Sequence, residues 1–394
     1  MDIRKLAEGM QDQVVKWRRD LHQIPEIGNE LPQTSKYVQD CLKEMGIPFV
    51  TMVNGSGIVA TISGGSAGKT IALRADMDAL PITEDAPVDF KSTNGKMHAC
   101  GHDAHTSMLL GAAKILNDNK AGIKGTVKLI FQPGEEAPGG AKPMIAEGCL
   151  KGVDAIFGAH IGCLFANIKE SGKILVSHGN AMACRDVFKI KIIGRGGHGA
   201  WPENCIDPVA VAAQVINGIY MIKAREIAAL APSVISICMV HGGTANNIIP
   251  QAVELEGSTR AVDPKTRELI ASRIEQVLKN TCASYGATYE FNFEWDYDIT
   301  TNNPAMADLV IKAANDLGMG GDIIAQPSPL MGSEDMSFFL NEVPGAYYFL
   351  TSVAPNQDGM VYGHHNTKFM LDESVFSKGV ALLLQITANY LDSK

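Results

Sequence analysis

The strongest constraint on the fold is a change of rhythm about halfway along the chain. Residues 187–193 have a strand pattern, 208–223 a helical one, and 233–240 and 252–261 are strand-like again. A helical run over 264–282 and a strand over 287–295 complete the series. The order β-α-β-β-α-β is that of a ferredoxin-like unit. Asp207-Pro208 and Asp263-Pro264 mark its two helix starts. Each pairs a side-chain acceptor with a proline whose fixed φ and missing N–H suit the first helical position. On either side the pattern differs. Leu6, Met10, Val14, Trp17 and Leu21 recur every three or four positions, so one helix is expected over 3–24 and a second over 34–45. Short strands at 57–62, 69–75, 127–131 and 155–159 interleave with a helix that starts at Asp103 or His105 and ends near 116. After Asn302, helix and buried strand (346–350) resume, and a helix over 373–391 closes the chain. Such interleaving implies an α/β sheet. The expected organisation is a discontinuous domain, 1–183 with 297–394, interrupted by an insert at 184–296.

Composition narrows the function. At 394 residues and 46% hydrophobic, the chain has enough apolar material for two or three cores. Its net charge is −9 and no Lys/Arg cluster interrupts it, which argues against a nucleic-acid partner. No apolar run reaches the roughly 18 residues of a membrane helix. The charged start, Met1-Asp2-Ile3-Arg4-Lys5, has no signal-peptide core. Eight cysteines without a CxxC pair read as free thiols or ligands in a reducing compartment, so a cytoplasmic location is expected.

Two runs imitate nucleotide-binding motifs. Residues 63–70 resemble a phosphate loop, but Ser63 stands where its first glycine belongs, and Ile71-Ala72-Leu73 continues as strand. A β-hairpin loop is expected there instead. Residues 194–199 match GxGxxG, yet Trp201-Pro202-Glu203-Asn204 separates them from the next helix. A dinucleotide site needs that helix N-terminus at the pyrophosphate.

The chemistry concentrates elsewhere. Residues 97–105 pack a thiol (Cys100), imidazoles (His98, His102, His105) and a carboxylate (Asp103) into nine positions. These are donors for a borderline-soft divalent cation, and a thiolate can bridge two. Glu135 and Glu136 follow the strand at 127–131, where α/β sheets place ligand sites. Adjacent carboxylates point apart, so one can bind metal while the other takes a proton from activated water. His160 ends the strand at 155–159, and His364-His365 lie near the C-terminus.

At this point the sequence resembles the M20 metallopeptidases, most closely the M20D amidohydrolases. That group includes hippurate hydrolases, N-acyl-amino-acid amidohydrolases and the plant enzymes that hydrolyse indole-acetyl amino-acid conjugates. The likeness rests on residues 74–81, 97–105, 131–136, 194–202, 247–250 and 331–335, in that order. It implies a zinc-aminopeptidase-like α/β catalytic domain with an inserted ferredoxin-like α+β lid and dimerisation domain. It places metal ligands on Cys100, His102, Glu136, His160 and His365, with His364 the neighbouring alternative. The general base falls on Glu135 and a ligand-orienting carboxylate on Asp76. In the lid, His198 corresponds to an oxyanion-stabilising histidine that reaches a partner subunit. Asn247 is its companion donor, and Arg260 suits a substrate carboxylate.

The resemblance implies hydrolysis of N-acyl amino acids to a carboxylic acid and a free amino acid, using one or two ions of Zn, Mn, Ni or Co. A carboxypeptidase or dipeptidase of the same family is the alternative, and a non-catalytic binder of acylated amino acids a more distant one. A homodimer through the lid domain is expected.

Overall fold

The structure, a computed structural model, describes residues 2–393. These divide into two compact units. One comprises Met182–Thr300 and Pro329–Glu334, and the other the remaining described residues.

The larger unit is built on an eight-stranded sheet. Its spatial order is Phe49–Met52, Gly57–Ser63, Lys124–Gln132, Ser66–Asp76, Ala155–Gly162, Gly345–Thr351, Ile174–Val176 and Ile323–Ala325. Ser66–Asp76 runs parallel to both Lys124–Gln132 and Ala155–Gly162, which in turn runs parallel to Gly345–Thr351. These central strands are nearly continuous in apolar residues because both sheet faces are covered. Their carboxyl ends therefore share one edge, where Asp76 sits opposite Gln132 and His160 opposite Phe349. The helix His102–Asp118 packs against the sheet, with Met108, Leu109, Leu110, Ile115 and Leu116 buried in the core.

Three expectations change here. The N-terminal helix is two helices, Ile3–Glu8 and Gln11–His22. The apolar period runs through the break, but Gly9, a poor helix former, closes the first helix and Met10 N–H bonds back to Ala7 O. The loop at 63–66 is no hairpin, since Lys124–Gln132 lies between Gly57–Ser63 and Ser66–Asp76. The loop is anchored by Gly64 N–H on Gly125 O and Gly65 N–H on Lys120 O. Finally, the strand expected to end at 159 extends through Gly162, so His160 lies inside it.

The smaller unit holds a four-stranded antiparallel sheet ordered Ser233–Gly242, Ala252–Ala261, Arg185–Ile193, Thr288–Tyr297. Numbered along the chain this is 2-3-1-4, the ferredoxin-like arrangement. Helices Pro208–Arg225 and Pro264–Tyr285 supply its core with Val211, Val215, Ile219, Ile270, Ile274 and Leu278. Both Asp-Pro starts cap as expected: Asp207 accepts from Val209 and Ala210 N–H, and Asp263 from Thr266 N–H. The GxGxxG run opens no helix. Gly197–His198 pairs with Ile248–Ile249, and a 3-10 turn over Pro202–Asn204 follows.

Candidate metal centre

The donors gather at the carboxyl edge of the central strands. Asp76 ends one strand, Glu135 and Glu136 follow the next, and His160 belongs to a third. Cys100 and His102 approach this edge through a turn at Gly101, whose φ of +91° favours glycine. His365 also has a left-handed backbone, φ +63°, unusual for a residue with a Cβ. Its N–H bonds to Ala99 O at 2.9 Å, which fixes the C-terminal histidines against the Cys100 segment. Local backbone strain of this kind concentrates at functional sites.

Among the donor groups that result, three share Cys100 or Glu136: Cys100, Glu136 and His365; Cys100, His160 and His364; and His102, Glu135 and Glu136. Within each group the donor atoms lie within 4.8 Å of one another. Cys100 Sγ is 3.4 Å from His160 Nε2, and His365 Nε2 is 3.1 Å from Glu136 Oε1.

Hydrogen bonds decide which imidazole lone pairs remain for a cation. His160 Nδ1 donates to Ile161 O at 2.9 Å, leaving Nε2 as the lone-pair nitrogen beside Cys100. His102 Nδ1 faces Asp78 Oδ1 at 3.3 Å, so its buried Nε2, which has no hydrogen-bond partner, carries the lone pair. His105 has neither nitrogen to spare. Nδ1 donates to Asp76 Oδ1 at 2.5 Å and Nε2 accepts from Ile161 N–H at 2.8 Å. In His364, Nε2 is already the acceptor for Cys163 N–H at 3.2 Å.

The electrostatics call for positive charge. Burial, followed by Glu136 and Glu135, pushes the Cys100 thiol well above its ordinary pKa. Burial also disfavours charge on His102, but the Asp76 and Asp78 carboxylates outweigh it and raise that ring to about 10. Burial opposes the Glu136 carboxylate too, yet the His365 hydrogen bond and the His102 charge bring its pKa below the ordinary value. A divalent ion held by these groups would offset the anionic cluster in place of a proton on His102 and would make the thiolate the stable form. Soft thiolate, imidazole nitrogen and carboxylate together fit a first-row divalent metal.

Asp78 was not singled out from sequence, although it lies within the run at 74–81. Besides meeting His102, its two oxygens accept the N–H groups of Glu135 and Glu136 at 2.9 and 3.0 Å. One buried carboxylate therefore positions three members of the centre. Asp76 is tied more deeply: Arg74 donates to it at 2.8 Å and to Asp335 at 2.9 Å, and Gln132 donates to Asp335 at 2.8 and 2.7 Å.

The remaining expected residues belong to the smaller unit. His198 and Asn247 are brought together, with Gly199 N–H on Asn247 O at 2.9 Å and His198 paired to Ile248. His198 Nδ1 accepts from Ala200 N–H at 3.1 Å, so its proton sits on Nε2. Arg260 is not with them. It stands near the far end of Ala252–Ala261, bonded to Ser333 Oγ at 3.1 Å, roughly 25 Å along the strand from Ala252 at ~3.3 Å per residue.

The alternation of helix and central parallel strands, with a donor-lined edge, matches a known family. Residues 72–389 match the model of peptidase family M20/M25/M40, and the chain belongs to that family of amide-bond hydrolases. Among curated relatives, thermostable carboxypeptidase 2 of Saccharolobus solfataricus is 42% identical over 94% of this chain and 93% of its own length. The N-acyl-L-amino acid amidohydrolase of Geobacillus stearothermophilus is 39% identical over 75% of this chain and 80% of its own. The solved structure of Bacillus subtilis YxeP, described as a dinuclear metal binding peptidase from the M20 family, superposes with a TM-score of 0.84. It is 32% identical and covers 98% of this chain and 100% of its own.

Proposed function

We propose that this chain hydrolyses the amide bond of N-acyl amino acids with one or two divalent ions held by Cys100, His102, Glu136, His160 and His365. The observation carrying this reading is the sharing of Cys100 and Glu136 between neighbouring donor groups, which gives two adjoining positions for ions. A bound ion supplies Lewis acidity toward the scissile carbonyl and lowers the pKa of water toward neutrality.

The chain's own groups do the rest. Glu135, held by its backbone on Asp78, takes a proton from the attacking water and returns it to the leaving nitrogen. Water's oxygen ends on the acyl carbon as a carboxylic acid, and the amino acid leaves as a free amine. Asp78 and Asp76 orient His102 and its surroundings. Reaching from the second copy of a homodimer, His198 offers Nε2–H to the oxyanion, with Asn247 beside it, and Arg260 receives the substrate carboxylate.

A homodimer fits the smaller unit. Its edge strand Ser233–Gly242 exposes Val234, Met239 and Val240, and an open edge accepts a second copy. Eight free thiols suit a cytoplasmic location, and no helix among the described residues is long and apolar enough to cross a membrane.

Carboxypeptidase or dipeptidase action is the second reading, favoured by the 42% identity to a thermostable carboxypeptidase. Parallel assays of metal-reconstituted protein on N-acetyl amino acids, hippurate, dipeptides and blocked peptides separate the two. Preference for acylated amino acids supports deacylation. Cleavage of peptides alone transfers the chain to the second reading, and no cleavage of either class removes both.

A further inference from the structure

His364 has two features that ligand assignment leaves unused. It is half-buried at the donor cluster, in a group with Cys100 and His160, and its Nδ1, itself shielded from solvent, has no hydrogen-bond partner. Its ring is also held deliberately close to the strand Ala155–Gly162. A Cβ built on Gly162 would lie 2.2 Å from His364 Nε2 and 2.3 Å from Cε1, so the ring occupies space that only glycine leaves open. On its other side the ring packs against Phe369, at 4.6 Å between centroids.

The Cys163 contact then sets the protonation. A backbone N–H can only donate, so His364 Nε2 presents its lone pair to Cys163, and the ring proton resides on Nδ1. Nδ1 is therefore a buried donor without an acceptor, which is costly unless the working centre provides one. In its donor group His364 stands with Cys100, whose sulfur is an acceptor rich in lone pairs once it is a thiolate.

We propose that His364 is a positioning residue rather than a ligand: its Nδ1–H donates to the Cys100 thiolate in the metal-loaded protein. Such a bond draws charge from the sulfur and holds it in place. Metal-bound sulfur centres are tuned by hydrogen bonds of this kind. The pair His364-His365 then divides its work, the first residue serving the thiolate and the second the ion. This inference rests on the metal reading above.

The test uses full-length protein loaded with Co²⁺, whose thiolate charge-transfer band reports directly on Cys100. Wild type, His364→Phe, His364→Asn and Gly162→Ala are compared by this band, by Co²⁺ stoichiometry and affinity, and by circular dichroism. Phenylalanine keeps the packing and removes the donor, whereas asparagine carries an N–H near the Nδ1 position. Gly162→Ala displaces the ring without removing any donor. The expected result for His364→Phe is an unchanged ion count, a band moved to lower energy, and affinity lower by about 10–100-fold. Asparagine should restore the band, and Gly162→Ala should reproduce the phenylalanine shift. Loss of an ion in His364→Phe would make His364 a ligand and overturn the proposal, as would an unmoved band. Equal damage from phenylalanine and asparagine would reduce the residue to packing and overturn it too. A missing thiolate band in wild type would instead defeat the metal reading itself.

Discussion

The donor-lined edge of the larger unit and the His198 rim of the smaller one solve opposite problems. At the edge, Asp76, Asp78, Cys100, His102 and His160 are all buried, and their polar atoms answer one another across distant segments. Burial there raises the cost of any unpaired charge and strengthens each electrostatic contact. At the rim, His198 and Asn247 are exposed, and Trp201, 57% exposed, packs its ring 4.6 Å from that of His198. Local backbone bonds alone set the His198 tautomer. A preorganised centre needs the first arrangement, and a group that meets substrate only at one stage can use the second.

Substitutions should separate the two regions, and the largest effect is expected at the edge. Glu135→Gln should lower kcat by about 10²–10⁴, the usual contribution of a positioned acid–base group, while elemental analysis finds the metal content unchanged. Near-normal turnover would remove Glu135 as the base. At the rim, His198→Ala should cost about 10²–10³ in kcat, also with normal metal content. Metal loss in that variant would break the contrast between the regions. Asp78→Asn keeps the shape of the side chain but weakens its hold on His102 and on the two glutamate amides. Metal affinity measured by competition should fall by about 10–100-fold, and turnover should recover at high metal.

A smaller effect is expected in acid. Burial opposes the Asp103 carboxylate, but Arg18 at 2.9 Å and His22 at 2.6 Å outweigh it and hold its pKa far below the usual range. A depressed folded-state pKa contributes stability that is fully present above the unfolded value, near 4, and is lost as pH falls below it. Denaturant midpoints of wild type should therefore drop as pH is lowered from about 5 to 3, and Asp103→Asn should flatten that slope. An equally steep slope in the variant would assign the acid sensitivity to other carboxylates.

Local signals carried much of this fold. The Asp-Pro caps, the apolar strand runs and the β-α-β-β-α-β order each depend on neighbours in sequence, and each appears in place. Strand order is different in kind. Nothing within residues 57–76 announces that Lys124–Gln132 separates the two strands there, because that choice is made by pairing at a distance. The break at Gly9 was visible only as a weak helix former inside a strong period.

The residues that gather at this edge were legible from their unusual composition, helped by the order of the motifs. Asp78 was not, since its partners lie 24, 57 and 58 residues away and an aspartate after a strand has many ordinary uses. Nor does any spacing reveal that His364 Nε2 already meets the Cys163 N–H, the contact that bears on the proposed division of roles between His364 and His365.

The donors enter from chain positions as far apart as Cys100 and His365. A ribosome must therefore translate 265 residues beyond Cys100 before the complete set exists. On the proposed ligand set, loading of the cation is a late event in the life of each molecule, one that reports that the segment around His365 has docked. A chelator added during refolding should then arrest maturation at its final stage rather than at collapse.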